Sequence, residues 1–166
     1  MRRSAAMEKL NAIIRERQLL GGTGYIRGSH RCVCFSEAPV SKLAYLLAEG
    51  GAEGQIRYAP FGVIVPKMAV YEAGGRPVIY GPLDEYNSLP DAMKYRHVRF
   101  YLGERYSVDY TWEREWRIQT DAFLLRPEEV TVVLPDRTAK NELAPLLQND
   151  WNVLVLADLG VSINAA

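Results

Sequence analysis

The stretch Trp112-Glu113-Arg114-Glu115-Trp116-Arg117-Ile118-Gln119 interleaves charged and bulky side chains. Read as a β-strand, whose successive side chains point to opposite faces, it puts Glu113, Glu115, Arg117 and Gln119 on one face. Trp112, Arg114, Trp116 and Ile118 fall on the other. As a helix it would instead make Glu113 and Arg117 an i,i+4 ion pair.

The strand reading carries chemistry with it. Two carboxylates two residues apart repel, which raises the pKa of one, while a nearby arginine holds the other ionised. Such a pair suits a reaction at a sugar anomeric carbon. One carboxylate anchors a hydroxyl and stabilises a developing oxocarbenium ion; the other orients or deprotonates the nucleophile. The plainer alternative is a surface Glu–Arg pair, which contributes ~0–1 kcal/mol and needs no function.

Upstream, His30–Glu37 reads as a second strand, with His30, Cys32, Cys34 and Ser36 on one face, ended by Pro39. Its polar Ser-Glu end fits a pocket edge and an ordinary turn equally well. The chain opens on an amphipathic helix, Met7–Leu20, stopped by Gly21-Gly22. Gly22–Gly28 is a glycine-rich loop without the spacing of a dinucleotide fingerprint or a P-loop. A short helix is expected over Val40–Glu49, a flexible tract over Gly50–Gly54, and β-rich pieces over Ile56–Tyr58, Phe61–Val65 and Pro77–Tyr80. Lys67–Ala73 reads as a helical turn and Asp91–Leu102 as helical. Strand material follows over Tyr110–Ile118, Ala122–Leu125, Val130–Leu134 and Trp151–Ala157, with a helix over Lys140–Gln148 capped by Thr138 and interrupted by Pro145. The expectation is one α+β domain spanning residues 1–166, with a mixed, bent central sheet, an N-terminal helix and a helix near the C-terminus.

Composition narrows the function classes. Among 166 residues, 20 Lys+Arg balance 20 Asp+Glu, so a global basic face for nucleic acid is not expected, although a local groove stays open. Hydrophobic residues at 48% and charged residues at 24% argue against a disordered chain, a collagen-like repeat or a coiled coil. No apolar run approaches the ~20 residues that cross a bilayer. Met1-Arg2-Arg3-Ser4 leads into an amphipathic segment rather than an apolar signal core, so a cytoplasmic protein without a membrane partner is expected. Cys32 and Cys34 are too close for an unstrained disulfide. With His30 they would point out in parallel rather than converge, so no metal is expected.

Cys34-Phe35-Ser36-Glu37-Ala38-Pro39-Val40-Ser41, then Tyr58-Ala59-Pro60-Phe61-Gly62-Val63-Ile64, then Gly75-Arg76-Pro77-Val78-Ile79-Tyr80 follow one another in an order that resembles the AbiGi family of abortive phage resistance. Relatives of that family also carry a late Glu-x-Glu-Trp-Arg, matched here by Glu113–Arg117. The resemblance covers roughly residues 8–135 and implies a phage-resistance context, antitoxin-like, more than a reaction.

More distantly, Glu115-Trp116-Arg117 with the strands after it is similar to the catalytic-glutamate region of ADP-ribosyltransferases, including DarT-like toxins. Glu113-Arg114-Glu115 has the Glu-x-Glu form of the arginine-directed transferases. That likeness implies NAD as substrate, Glu115 on the nicotinamide-ribose hydroxyl, and Glu113 orienting the acceptor. Arg31 or His30 would match the early residue that grips NAD, Ser36 the polar position at the end of that strand, and Tyr80 would stack on nicotinamide. No Ser-Thr-Ser is present. The leading expectation is a phage- or defence-linked ADP-ribosyltransferase-like protein acting on a macromolecular acceptor, nucleic acid included. The alternative is a non-catalytic, antitoxin-like protein that binds a toxin or phage protein through Tyr101, Tyr106, Tyr110 and Trp112, since interfaces favour Tyr, Trp and Arg.

Overall fold

A computed structural model describes residues 2–39, 42, 59–147 and 150–161, which form an α+β fold. In chain order its elements begin with α1 (Arg2–Glu16), β1 (Gln18–Leu20), β2 (Cys32–Ser36), β3 (Gly62–Ile64), α2 (Lys67–Glu72), β4 (Arg76–Pro77) and β5 (Ile79–Gly81). They continue with α3 (Asp91–Lys94), β6 (His97–Arg99), β7 (Tyr101–Leu102), β8 (Ser107–Val108), β9 (Glu115–Gln119) and β10 (Ala122–Leu124). The last three are β11 (Thr131–Leu134), α4 (Arg137–Leu147) and β12 (Asn152–Val155). The fold divides into two compact units.

Unit 1 comprises Met1–Gln18, Pro39–Pro66 and Leu124–Ala166. Its sheet has β11 in the middle, parallel to β12 and antiparallel to β3. Val132 and Leu134 alternate inward on β11 and are fully buried. Helix α4 offers Ala139, Leu143 and Leu147, one per turn, and α1 offers Leu10 and Ile14; all are buried. The α4 cap is Asp136, not Thr138: Asp136 Oδ1 accepts the Ala139 N–H at 2.9 Å, and the helix runs through Pro145. Helix α1 ends sooner than its apolar spacing suggests. Arg17 adopts a left-handed φ of 51°, and the chain leaves as strand β1, pairing with β10.

Unit 2 comprises Leu19–Ala38 and Lys67–Phe123. Its main sheet runs β2–β9–β4, antiparallel throughout. Smaller pairs are β5 with β6, parallel, and the β7–β8 hairpin. The expected helix over Asp91–Leu102 survives only as α3. Beyond it the N–H of Ile79 bonds the Arg96 carbonyl at 2.8 Å, and β6 is drawn into pairing with β5. Backbone pairing with a distant strand therefore overrides the local helical pattern. The described strands form five small sheets rather than one central sheet. The pieces read over Val40–Glu49, Gly50–Gly54 and Ile56–Tyr58 lie outside the described residues, Lys42 excepted. Among the described residues, no helix is long and apolar enough to cross a membrane.

Candidate functional site

Strand β9 positions the site. Glu115 lies opposite Ser36, Arg117 opposite Cys34 and Gln119 opposite Cys32, so the six side chains share one sheet face. On that face Arg117 Nε and Nη2 donate to the two carboxylate oxygens of Glu115 at 2.8 and 3.1 Å. Arg117 Nη1 donates to the carbonyls of Tyr95 and His97 at 2.8 and 3.2 Å. The Arg117 side chain is 5% exposed and that of Glu115 13%, so this is not the surface pair that the plainer alternative describes. Burial works against the arginine's charge, but the double hydrogen bond and charge of Glu115 outweigh it and raise the Arg117 pKa.

Two neighbours flank Glu115. Cys34 is exposed by area, yet the protein around it desolvates its thiol. Burial first, and then the Glu115 carboxylate beside it, push the thiol up to about 12. It stays protonated at neutral pH and is no nucleophile. The Tyr80 hydroxyl accepts the Glu115 backbone N–H at 3.2 Å and donates to the Tyr110 carbonyl at 3.2 Å. Burial raises its phenol pKa. Tyr80 thus ties the start of β9 to β5.

Glu113 does not share the strand face expected for it. Thr111–Glu113 forms a single 3-10 turn, and Arg114 follows in the left-handed conformation with φ of 49°, so alternation begins only at Glu115. Asp109 starts this turn by accepting the Thr111 N–H and hydroxyl at 2.9 and 2.6 Å. Ser36 Oγ donates to the Glu113 carbonyl at 2.6 Å and accepts the Ala38 N–H at 3.1 Å, so its hydroxyl is engaged with protein.

His30 and Arg31 stand at the other end of the β2–β9 ladder. His30 Nδ1 lies 3.5 Å from Gln119 Nε2, and Gln119 is four residues from Glu115, roughly 13 Å along an extended strand. Arg31 faces Asp121 at 3.7 Å and donates to the Gly21 carbonyl at 3.3 Å. Glu115, Tyr80, Ser36 and Glu113 therefore meet at one end of the ladder, and His30 and Arg31 lie apart from them. Among the described residues no group of three His, Cys, Asp or Glu is arranged to hold a metal ion.

The role of Glu37 was not visible in the sequence. Its carboxylate meets Lys67 Nζ at 2.7 Å, Arg114 Nη2 at 3.4 Å and Trp116 Nε1 at 3.0 Å. Hydrogen bonds from Lys67 and then Trp116 hold its pKa below the usual carboxylate value. The one signal was its place at the polar end of a strand. No family model, curated protein or solved structure matches the chain.

Proposed function

We propose that unit 2 carries the site of a defence-linked, NAD-dependent ADP-ribosyltransferase-like protein, with Glu115 at its centre. The observation that supports this reading is a carboxylate fixed in direction by a buried arginine, yet still 13% exposed. Arg117 has its other donor committed to two carbonyls, so it serves as a clamp. The charges of the pair cancel at long range. What Glu115 offers is local: oriented lone pairs that accept a ribose hydroxyl and face positive charge developing at the adjacent anomeric carbon. Glu113, on the turn before it, orients the acceptor. Tyr80 borders the nicotinamide end while its hydroxyl holds the Glu115 backbone. A separation of more than one sugar leaves His30 and Arg31 to the pyrophosphate end of NAD rather than to the same ribose.

Titration of the full chain with NAD by calorimetry tests the reading. A saturable heat is expected, weakened about tenfold in Arg31→Ala or His30→Ala, the worth of one charge-assisted hydrogen bond. No heat, together with no nicotinamide release, overturns it.

One observation favours the antitoxin-like, partner-binding reading instead. Tyr101 and Tyr106 are exposed and meet at 5.0 Å between ring centroids on the β7–β8 hairpin, with Leu102 also exposed beside them. Under that reading NAD has no effect, and Tyr106→Ala abolishes capture of the toxin or phage protein.

A further inference from the structure

We infer that Glu37, at the end of β2, is a positioning residue for the Glu113–Glu115 turn and thereby decides how the ribosyl group is divided between acceptor and water. The inference rests on the transferase reading above.

Two consecutive residues at the end of β2 hold the turn. Ser36 Oγ holds the Glu113 carbonyl at 2.6 Å. The Glu37 N–H holds the Arg114 carbonyl at 3.3 Å. The Glu37 carboxylate then reaches the Arg114 side chain and the Trp116 indole, and Lys67 closes the group from above the Trp116 ring at 4.9 Å. Arg114 needs such support. A left-handed φ is strained for a non-glycine residue and persists only where the surroundings impose it.

None of these contacts is to the Glu115 carboxylate, which Arg117 holds on the face of β9 opposite Trp116. The two carboxylates of Glu-x-Glu therefore have separate supports: Arg117 orients Glu115, and Glu37 orients the backbone that carries Glu113. In the reaction the bond between the anomeric carbon and nicotinamide breaks, its electron pair leaving with the nicotinamide nitrogen. A lone pair of the acceptor forms the new bond to that carbon, and the acceptor's proton passes to Glu113 and on to solvent. Where water takes the acceptor's place, the products are free ADP-ribose, nicotinamide and a proton. Loosening the turn misplaces Glu113 while leaving Glu115 in place, so transfer suffers more than cleavage.

The test uses the full chain with Glu37→Gln, which keeps an acceptor for Trp116 but loses both ion pairs, and Glu37→Asp as the conservative variant. NAD labelled in the ADP-ribose half is supplied with a bacterial lysate. The readout is the ratio of label fixed in macromolecules to nicotinamide released, which does not depend on the active fraction. Tryptic cleavage after Arg114 is followed without NAD. Glu37→Gln is expected to lower the ratio about tenfold through misplacement of Glu113, to speed cleavage after Arg114, and to leave the melting temperature unchanged. Glu37→Asp restores part of both. An unchanged ratio with faster cleavage makes the grip merely structural and overturns the inference, as does unchanged cleavage. Nicotinamide release by the wild type with no label fixed overturns it too, while leaving the NAD-cleaving reading standing. No release at all overturns that reading itself.

Discussion

The two units bury different chemistry. In unit 1 the residues buried among those described are apolar: Leu10, Ile14, Val130, Val132, Leu134, Leu143, Leu147, Val155 and Leu156 are typical. The two buried polar residues of the described chain, Arg117 and His97, both belong to unit 2. Unit 1 is thus held by close packing, which tolerates exchange of one apolar side chain for another of similar volume. Unit 2 adds to its own apolar core, Val33, Val70, Ile118 and Phe123 among it, a buried polar network in which a missing partner leaves a charge or carbonyl unsatisfied. A buried ion pair is weak evidence for stability and is often neutral against an apolar replacement. Its presence in unit 2, beside the part-exposed Glu115 carboxylate, and not among the described buried residues of unit 1, is what directs attention to function.

The sharpest way to break the comparison is Arg117→Ala. It strands the Glu115 carboxylate and two backbone carbonyls and is expected to cost about 3–5 kcal/mol in urea unfolding. Arg117→Lys should recover little, because an ammonium cannot span both Glu115 oxygens and the Tyr95 and His97 carbonyls as a planar fork does. A loss below about 1 kcal/mol for Arg117→Lys would put this pair in the class of surface ion pairs.

In unit 1 the matching change is Leu143→Ala on α4, which leaves a cavity beneath β11 and is expected to cost about 2–5 kcal/mol. Here the conservative variant behaves differently. Leu143→Met should cost less than about 1.5 kcal/mol, because volume is kept and no directional bond is lost. Equal penalties for Leu143→Met and Arg117→Lys would erase the distinction between the units.

The smallest effect comes from the α4 cap. Asp136→Ala should cost ~1 kcal/mol, the usual worth of a helix N-cap. The Ala139 N–H, and then Arg3, hold the Asp136 carboxyl below its usual value of 3.8. A depressed carboxylate stabilises the fold above its unfolded pKa, and that contribution disappears as pH falls through the folded value. The gap between wild type and Asp136→Ala should therefore be constant from neutral pH to about pH 4 and close below it. A gap that widens on acidification contradicts this assignment.

The sequence disclosed those parts whose physics is local. Strand β2, strand β9 from Glu115 onward, β11 and α4 follow from apolar periodicity, and the shared face of Glu115 and Arg117 follows from alternation alone. Other features depended on partners far along the chain. The Tyr95 and His97 carbonyls that complete the Arg117 clamp lie some twenty residues away. The β5–β6 pairing that draws His97–Arg99 out of the expected helix over Asp91–Leu102 is likewise remote. Glu113 left the strand face because Arg114 turned left-handed, a conformation that an arginine does not advertise. Ser36, expected at the ligand, spends its hydroxyl on that same turn. The placement of Glu37 beside Lys67, thirty residues on, could be found only once the chain was folded.

The central claim concerns Glu115, and one measurement reaches it directly: nicotinamide release from NAD by the purified full chain, alone and with cell lysate, compared with Glu115→Gln of matched circular dichroism. The account predicts steady release by the wild type and at least a hundredfold less (about 2.7 kcal/mol of lost transition-state stabilisation) in the variant. Release that persists at the wild-type rate in Glu115→Gln, or none from the wild type in either setting, would contradict it.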